Sequence, residues 1–289
     1  MMEAYFIHLL ILILIYIILA ISLQLAMGFT GLLNLGHIAF FCVGAYVSAL
    51  LTLNGFPFWL SFLIAAISAM IFGFLLAIAT SKLKGDYLAL ATLSFSFVIH
   101  ALALNLSITG GPLGLPGIPR PELFGFTFSS NLSFLFLTIF ITIISYFIIK
   151  RIVNSPFGKV LEAVRDDELA AETLGKNTMK IKSYALAISA FFAGIAGSLY
   201  AHYMNFIDPS NFTLFQLIPL LTIVIVAGLA SLEGTIIATF IVILLPELLR
   251  FVGFPPSLVG PMRQIIYAII LLLILYYKPR GFYGKIELE

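Results

Sequence analysis

Long apolar runs, broken by a few short polar stretches, dominate the chain. From Ala4 to Ser81, 78 consecutive residues contain no Asp, Glu, Lys or Arg. A helix needs about 20 residues to cross a hydrocarbon core of about 30 Å, so this run predicts three spans joined by short turns. Turn-forming sequences stand at Gly28-Phe29-Thr30-Gly31 and Asn54-Gly55-Phe56-Pro57. They place the spans near residues 5 to 26, 32 to 53 and 58 to 80, and a fourth follows from Tyr87 to about Leu106. Between residues 107 and 131, Pro112, Pro116, Pro119 and Pro121 among several glycines exclude a continuous helix, so a long extramembrane or re-entrant loop is expected. A fifth span, 132 to 149, leads into a charged segment, 150 to 182, and four more follow at 183 to 203, 214 to 230, 235 to 252 and 262 to 277. The pattern predicts an all-α polytopic membrane protein, one transmembrane domain over residues 1 to 289, with about nine helices. Eight or ten spans remain open, because the glycine-rich start of the second could be a half-helix.

Composition agrees with a lipid solvent: 62% of residues are hydrophobic and 10% charged, with a mean hydropathy of +1.14, against about 25% charged in soluble domains. Where the charges fall sets the orientation. Nine crossings put Lys82, Lys84, the seven basic residues of 150 to 182, Lys278, Arg280 and Lys285 on one side, 12 of 15 in all. Arg120, Arg250 and Arg263 fall opposite. The positive-inside rule makes the first side cytoplasmic, with the N-terminus outside and the C-terminus inside a cytoplasmic membrane. The N-terminal stretch lacks the basic region of a secretory leader and reads as a retained span. A net charge of +2 gives no reason to expect nucleic acid. Cys42 is the single cysteine, and His8, His37, His100 and His202 lie far apart, so neither a disulfide within the chain nor a metal site is expected.

Small residues recur at helical spacing: Ala190, Gly194 and Ser198, beside Ala193, Gly197 and Ala201, and earlier Gly36, Gly44 and Ser48. Such stripes let helix backbones approach closely in lipid. Polar residues inside predicted spans are costly against hydrocarbon and should face the bundle interior or water. They are Asn34 and His37 in the second span, Ser94, Ser96 and His100 in the fourth, and Asn105 at its outer end. They are the candidate translocation-pathway residues, although a lone intramembrane histidine also serves as a helix–helix hydrogen-bonding group. Glu247, the one clear carboxylate within a span, is expected to pair with Arg250 three residues on. A proton relay needs several such acids in series, which disfavours ion-coupled transport.

The segment 150 to 182 reads KRIVNSPFGKVLEAVRDDELAAETLGKNTMKIK and holds 12 of the chain's 28 charges. Ser155 with Pro156 makes a helix start, Asp166 or Asp167 can cap a second short helix, and Gly175 ends it. A capped helix pair of this kind suits docking by another protein.

The stretch EAVRDDELAAETLGKN (162 to 177) resembles the cytoplasmic coupling loop of ABC importer permeases. Their general pattern is Glu-Ala-Ala, three residues, Gly. Ala170, Ala171 and Gly175 match; Glu168 lies one position early with Leu169 in its place, and the Ile-x-Leu-Pro tail is absent. Those departures, with Arg165 supplying the leading arginine, resemble the Arg-x-x-Glu-x-Ala-Ala-x-x-x-Gly form of the branched-chain amino acid permease family. GFTGLLNLGHIAFFCVGAY (28 to 46), KGDYLALATLSF (84 to 95), NLSITGGPLGLPGIP (105 to 119), LPELLR (245 to 250) and YKPRGFYG (277 to 284) carry the same resemblance.

The resemblance implies a type II ABC importer permease-like bundle, similar to the second permease of a pair. It further implies a heterodimer with a paralogous permease, two cytoplasmic ABC ATPases and an external solute-binding protein. The solute would be leucine, isoleucine or valine, with urea, short amides or simple sugars as alternatives. An ATP-independent channel or secondary transporter, or an inert scaffold, are readings of another class. No cofactor is expected in this chain and ATP would be bound by partners only. Its three Gly-Lys pairs lack the glycine that a P-loop places six residues before the lysine, and no catalytic pair lies within a span.

Overall fold

The computed structural model describes residues 2–123, 125–247, 256–278 and 281–284. It is a helical bundle: α1 (Met2–Gln24), α2 (His37–Leu53), α3 (Phe58–Ala79), α4 (Gly85–Asn105), α5 (Asn131–Val153), α6 (Pro156–Asp166), α7 (Glu168–Thr173), α8 (Thr178–Met204), α9 (Leu214–Ala227), α10 (Leu232–Glu247) and α11 (Pro256–Tyr277). Seven helices are long and apolar enough to cross a membrane, including α1 extended to Phe29 and α9 with its lead-in from Pro209. α2, with 17 residues, and α10, with 16 among the described residues, fall short of that length. The last four residues of the LPELLR stretch include Leu248, Leu249 and Arg250, which with Arg280 and Lys285 lie outside the described residues.

α1 shows why amphipathicity was invisible in its sequence. Ile11, Ile13, Ile15, Ile18, Ile21 and Leu23 are all 1% exposed or less, so every face is covered, as expected of a helix that is apolar all round. α5, α8, α9 and α10 pack around it. The tightest packing joins α8 to α2 and α3 through the small-residue stripes. A Cβ added at Gly44 would lie 2.4 Å from the Gly194 backbone, and one at Gly197 would lie 2.1 Å from the Phe41 carbonyl oxygen. Without a hydrophobic drive between helices in lipid, such close backbone contact is what dispersion and packing need.

The second predicted span starts later than its sequence suggests. α1 ends in a π-helical turn, Leu25–Phe29, and the chain stays irregular until His37, burying Leu32, Asn34 and Gly36. Gly31 takes φ +72°, against the Arg165 side chain. Irregular backbone at such depth must have its polar groups satisfied within the protein. Here the Leu32 amide donates to Ala26 O (3.0 Å), Leu35 N to Thr92 Oγ1 (3.0 Å) and Gly36 N to Asn34 Oδ1 (3.1 Å).

The two ends of the bundle differ. One, the loop face, carries α6 and α7. The other, the far face, carries residues 107–131, which form short turns and two small antiparallel sheets. There β1 (Leu115–Pro116) pairs β4 (Phe206–Ile207) just after α8, while β2 (Glu122–Leu123) pairs β3 (Phe126–Thr127). Arg120 holds this segment down, donating to Asn205 Oδ1 (3.1 Å) and Asn131 Oδ1 (3.3 Å) with its guanidinium over the Phe134 and Tyr203 rings. Burial lowers the pKa of that guanidinium.

Candidate functional site

On the loop face, Ser155 caps α6 by accepting from the Gly158 amide, with Pro156 in the first helical position. Asp167, the second of the two expected caps, accepts from the Ala170 amide to start α7, and Gly175 ends the turn at φ +78°. The residues singled out there divide by direction. Arg165 turns inward: its side chain is 14% exposed, Nη1 donates to Gly28 O (3.0 Å), and it meets Asp166 Oδ1 at 2.8 Å. Glu168 bridges two helices, pairing with Lys182 of α8 (2.5 Å) and with Lys84 at the start of α4 (3.0 Å). Partial burial would raise the Glu168 pKa, but the hydrogen bonds from Lys182 and Lys84 outweigh it and hold the carboxyl below its ordinary value. Ala171 is buried under α7, whereas Ala170, Leu169 (67% exposed) and Leu174 (80% exposed) face outward. The charged members of the motif therefore fix the loop to its own bundle, and its apolar members form the outer surface.

Within the bundle, Asn34 and His37 come together, fully buried. The Asn34 amide donates to His37 Nδ1 (3.3 Å), leaving Nε2–H to face Ser22 Oγ (2.9 Å) and Leu19 O (3.2 Å). These bonds tie the irregular turn to α1. Ser96 and His100 form a second group, lining a cavity of about 250 Å³ with Phe97, Phe212, Thr213 and Phe215. His100 Nδ1 is buried there without a hydrogen-bond partner among the described residues. Ser94 and Asn105 join neither group. Both are exposed, and each donates to its own helix, Ser94 to Leu90 O (2.8 Å) and Asn105 to Ala101 O (2.8 Å).

Two further groups escaped sequence reasoning. His202 is fully buried: Nδ1–H donates to Pro119 O (2.7 Å) and Nε2 accepts from Ser48 Oγ (2.9 Å), which in turn meets Ser198 Oγ at 2.6 Å. That chain joins α2, α8 and the far-face segment across more than 80 residues of sequence each time, which no local spacing can signal. Glu247 is the other. The expected pair with Arg250 lies outside the described residues; within them Glu247 meets Arg263 of α11 (2.5 Å) and accepts from the Tyr5 hydroxyl at the start of α1.

A family model described as branched-chain amino acid transport system / permease component matches residues 5–275. Over 261 residues the chain is 38% identical to the high-affinity branched-chain amino acid transport system permease protein LivM of Escherichia coli (strain K12), covering 82% of this chain and 61% of that protein. A probable branched-chain amino acid transport permease protein LivM of Methanocaldococcus jannaschii is 29% identical over 235 residues, 77% of this chain and 67% of that one. The branched-chain permease protein LivH of Salmonella typhimurium is 23% identical over 293 residues, 95% and 92% of the two chains. The chain spans about three-fifths of the length of the Escherichia coli and Salmonella LivM proteins. No solved structure matches it. Since the family match runs from the start of α1 almost to the end of α11, the chain belongs to the permease-component family of branched-chain amino acid transport systems.

Proposed function

We propose that the chain is a transmembrane permease subunit of an ATP-binding-cassette importer that moves leucine, isoleucine or valine inward. In this reading it is a single permease domain with its loop face in the cytoplasm and its N-terminus outside. It pairs with a paralogous permease subunit and two cytoplasmic ATPases, and receives solute from an external binding protein. ATP is bound by those ATPases and not by this chain. The observation that carries the reading is the α6–α7 pair. Two side-chain caps, and a carboxylate shared by two lysines, hold it rigidly while Leu169 and Leu174 stay uncovered. Rigid helices with an uncovered apolar tip can pass a push from a docked ATPase into α4 and α8, the helices that Lys84 and Lys182 belong to. Work is transmitted only if the docked contact differs between the two states of the bundle. Co-purification and uptake together check this. Leu169→Glu with Leu174→Glu should lose the ATPases and nearly all leucine uptake while the chain still reaches the membrane. Full uptake by that variant, or leucine flux through vesicles holding this chain alone, contradicts the reading.

A further inference from the structure

A second cavity, away from the loop face and sharing Phe215 with the cavity at His100, is bordered by α1, α8, α9, α10 and α11, with a volume of about 320 Å³. That volume sits at the lower end for small-molecule sites, about 300 to 1,000 Å³. Its polar lining is unusual for a helical bundle in lipid: Glu247, Arg263, Gln216, Gln264, Tyr16 and Tyr267. The wall is apolar, with Leu9, Leu12, Phe215 and Ile243. Glu247 and Arg263 pair at 2.5 Å with side chains 11% and 35% exposed, and the Arg263 Nε is buried without a partner among the described residues. Two charges withdrawn from water are weak evidence of stabilisation, and ionisable residues at membrane depth mark binding sites by default. A carboxylate and a guanidinium side by side, next to an apolar wall, complement a molecule that carries both an ammonium and a carboxylate on one carbon and an aliphatic tail.

We propose that this cavity binds a zwitterionic α-amino acid with an apolar side chain. The ligand's carboxylate pairs with Arg263 and its ammonium with Glu247, replacing the internal ion pair with two ligand pairs, while the aliphatic tail lies against Leu9, Leu12 and Ile243. Charge is balanced before and after binding, so the site opens without leaving either group uncompensated. The proposal rests on the amino-acid permease reading above and places a solute subsite within this one chain.

The test uses the full chain in lipid nanodiscs for binding, and the assembled complex in liposomes for uptake. Radiolabelled leucine should bind the chain, and unlabelled leucine should displace it. Isoamylamine and 4-methylpentanoate, which lack one charge each, should not. Glu247→Gln and Arg263→Gln should each weaken binding by about tenfold or more, the scale expected for an unpaired buried charge. The exchange Glu247→Arg with Arg263→Glu keeps an internal pair but reverses its polarity; it should fold as wild type and stay defective in binding and uptake. Restored uptake in the exchange variant, or displacement by the singly charged analogues, overturns the proposal and makes the pair a structural latch. A wild-type complex that takes up leucine while the Gln variants bind it normally overturns this site alone. A wild-type complex that takes up no branched-chain amino acid overturns the permease reading as well.

Discussion

α8 and α4 are both spans with serine and histidine in the membrane, yet the protein treats them oppositely. In α8, 78% of the most apolar stretch is buried, and Ser189, Ser198 and His202 all bond to other elements: to α1, to α2, and to the far-face segment. In α4 only 28% is buried, Ser94 and Asn105 bond back to their own helix, and His100 Nδ1 is left without a partner beside a cavity. The same residue types therefore build structure where their partners lie within the chain. Where they do not, hydroxyl and amide turn back onto their own helix, and the His100 Nδ1 is left over beside a cavity among the described residues. His100 leaves α4 the helix with an open polar position, and it is also the one that Lys84 connects to α7 through Glu168.

The contrast can be broken most severely at the small-residue seam. Gly194→Leu must displace Ala69 and the Ala65 and Ala66 backbone, at a cost of about 3 kcal/mol, the top of the range for overpacking. The detergent-purified variant should show a large drop in melting temperature or fail to fold. An unchanged melting curve would mean that α8 is not the seam of the bundle. Next in size is His202→Ala, which strands the Pro119 carbonyl and leaves the Ser48 hydroxyl with Ser198 alone; a loss of about 1 to 3 kcal/mol is expected for an unsatisfied buried group. His100→Ala, which breaks no bond, should melt within about 0.5 kcal/mol of wild type while lowering uptake. Equal stability losses at the two histidines would erase the distinction between the helices.

The smallest effect is the pH dependence of the loop anchor. The Glu168 carboxyl is held below its unfolded value, so its contribution is complete above an unfolded pKa of about 4.3 and is lost as pH falls through the folded value. Wild type should therefore lose thermal stability faster than Glu168→Gln as pH drops below about 4.3. Parallel pH profiles would show that the two lysine pairs are screened to nothing.

Much of this was legible because it is local. Ser155-Pro156, Asp167 and Gly175 announce two capped helices through neighbours three residues apart, and the Gly44 and Gly194 stripes announce close packing through their spacing. The start of α2 was misread because Gly31 and Asn34 divert the chain, with buried turn bonds donated to α1 and α4 that no hydrophobic pattern records. Asn34 and His37 were expected to face the interior and do. Ser94 and Asn105 were grouped with them, but a hydroxyl or amide that bonds to the carbonyl four residues back needs no interior partner. A local rule offers Glu247 only the residue three positions on, which lies outside the described residues, and cannot announce Arg263, which arrives by tertiary packing. Direction is the missing information: Arg165 and Glu168 of the resembling motif face the bundle, and the outward apolar surface of the pair falls to Leu169 and Leu174.

Cysteine accessibility tests the central claim, that the polar face of α4 is left for another subunit or a path and that of α8 is not. With Cys42 replaced by alanine, single cysteines at Ser94, Ser96, Asn105 and Ser198 would be treated with a membrane-impermeant maleimide, in the isolated chain and in the assembled complex. The account predicts labelling at Ser96 and Asn105 in the isolated chain, a changed rate at those positions on assembly, and no labelling at Ser198 in either state. Labelling at Ser198, or identical rates on α4 with and without partners, would contradict it.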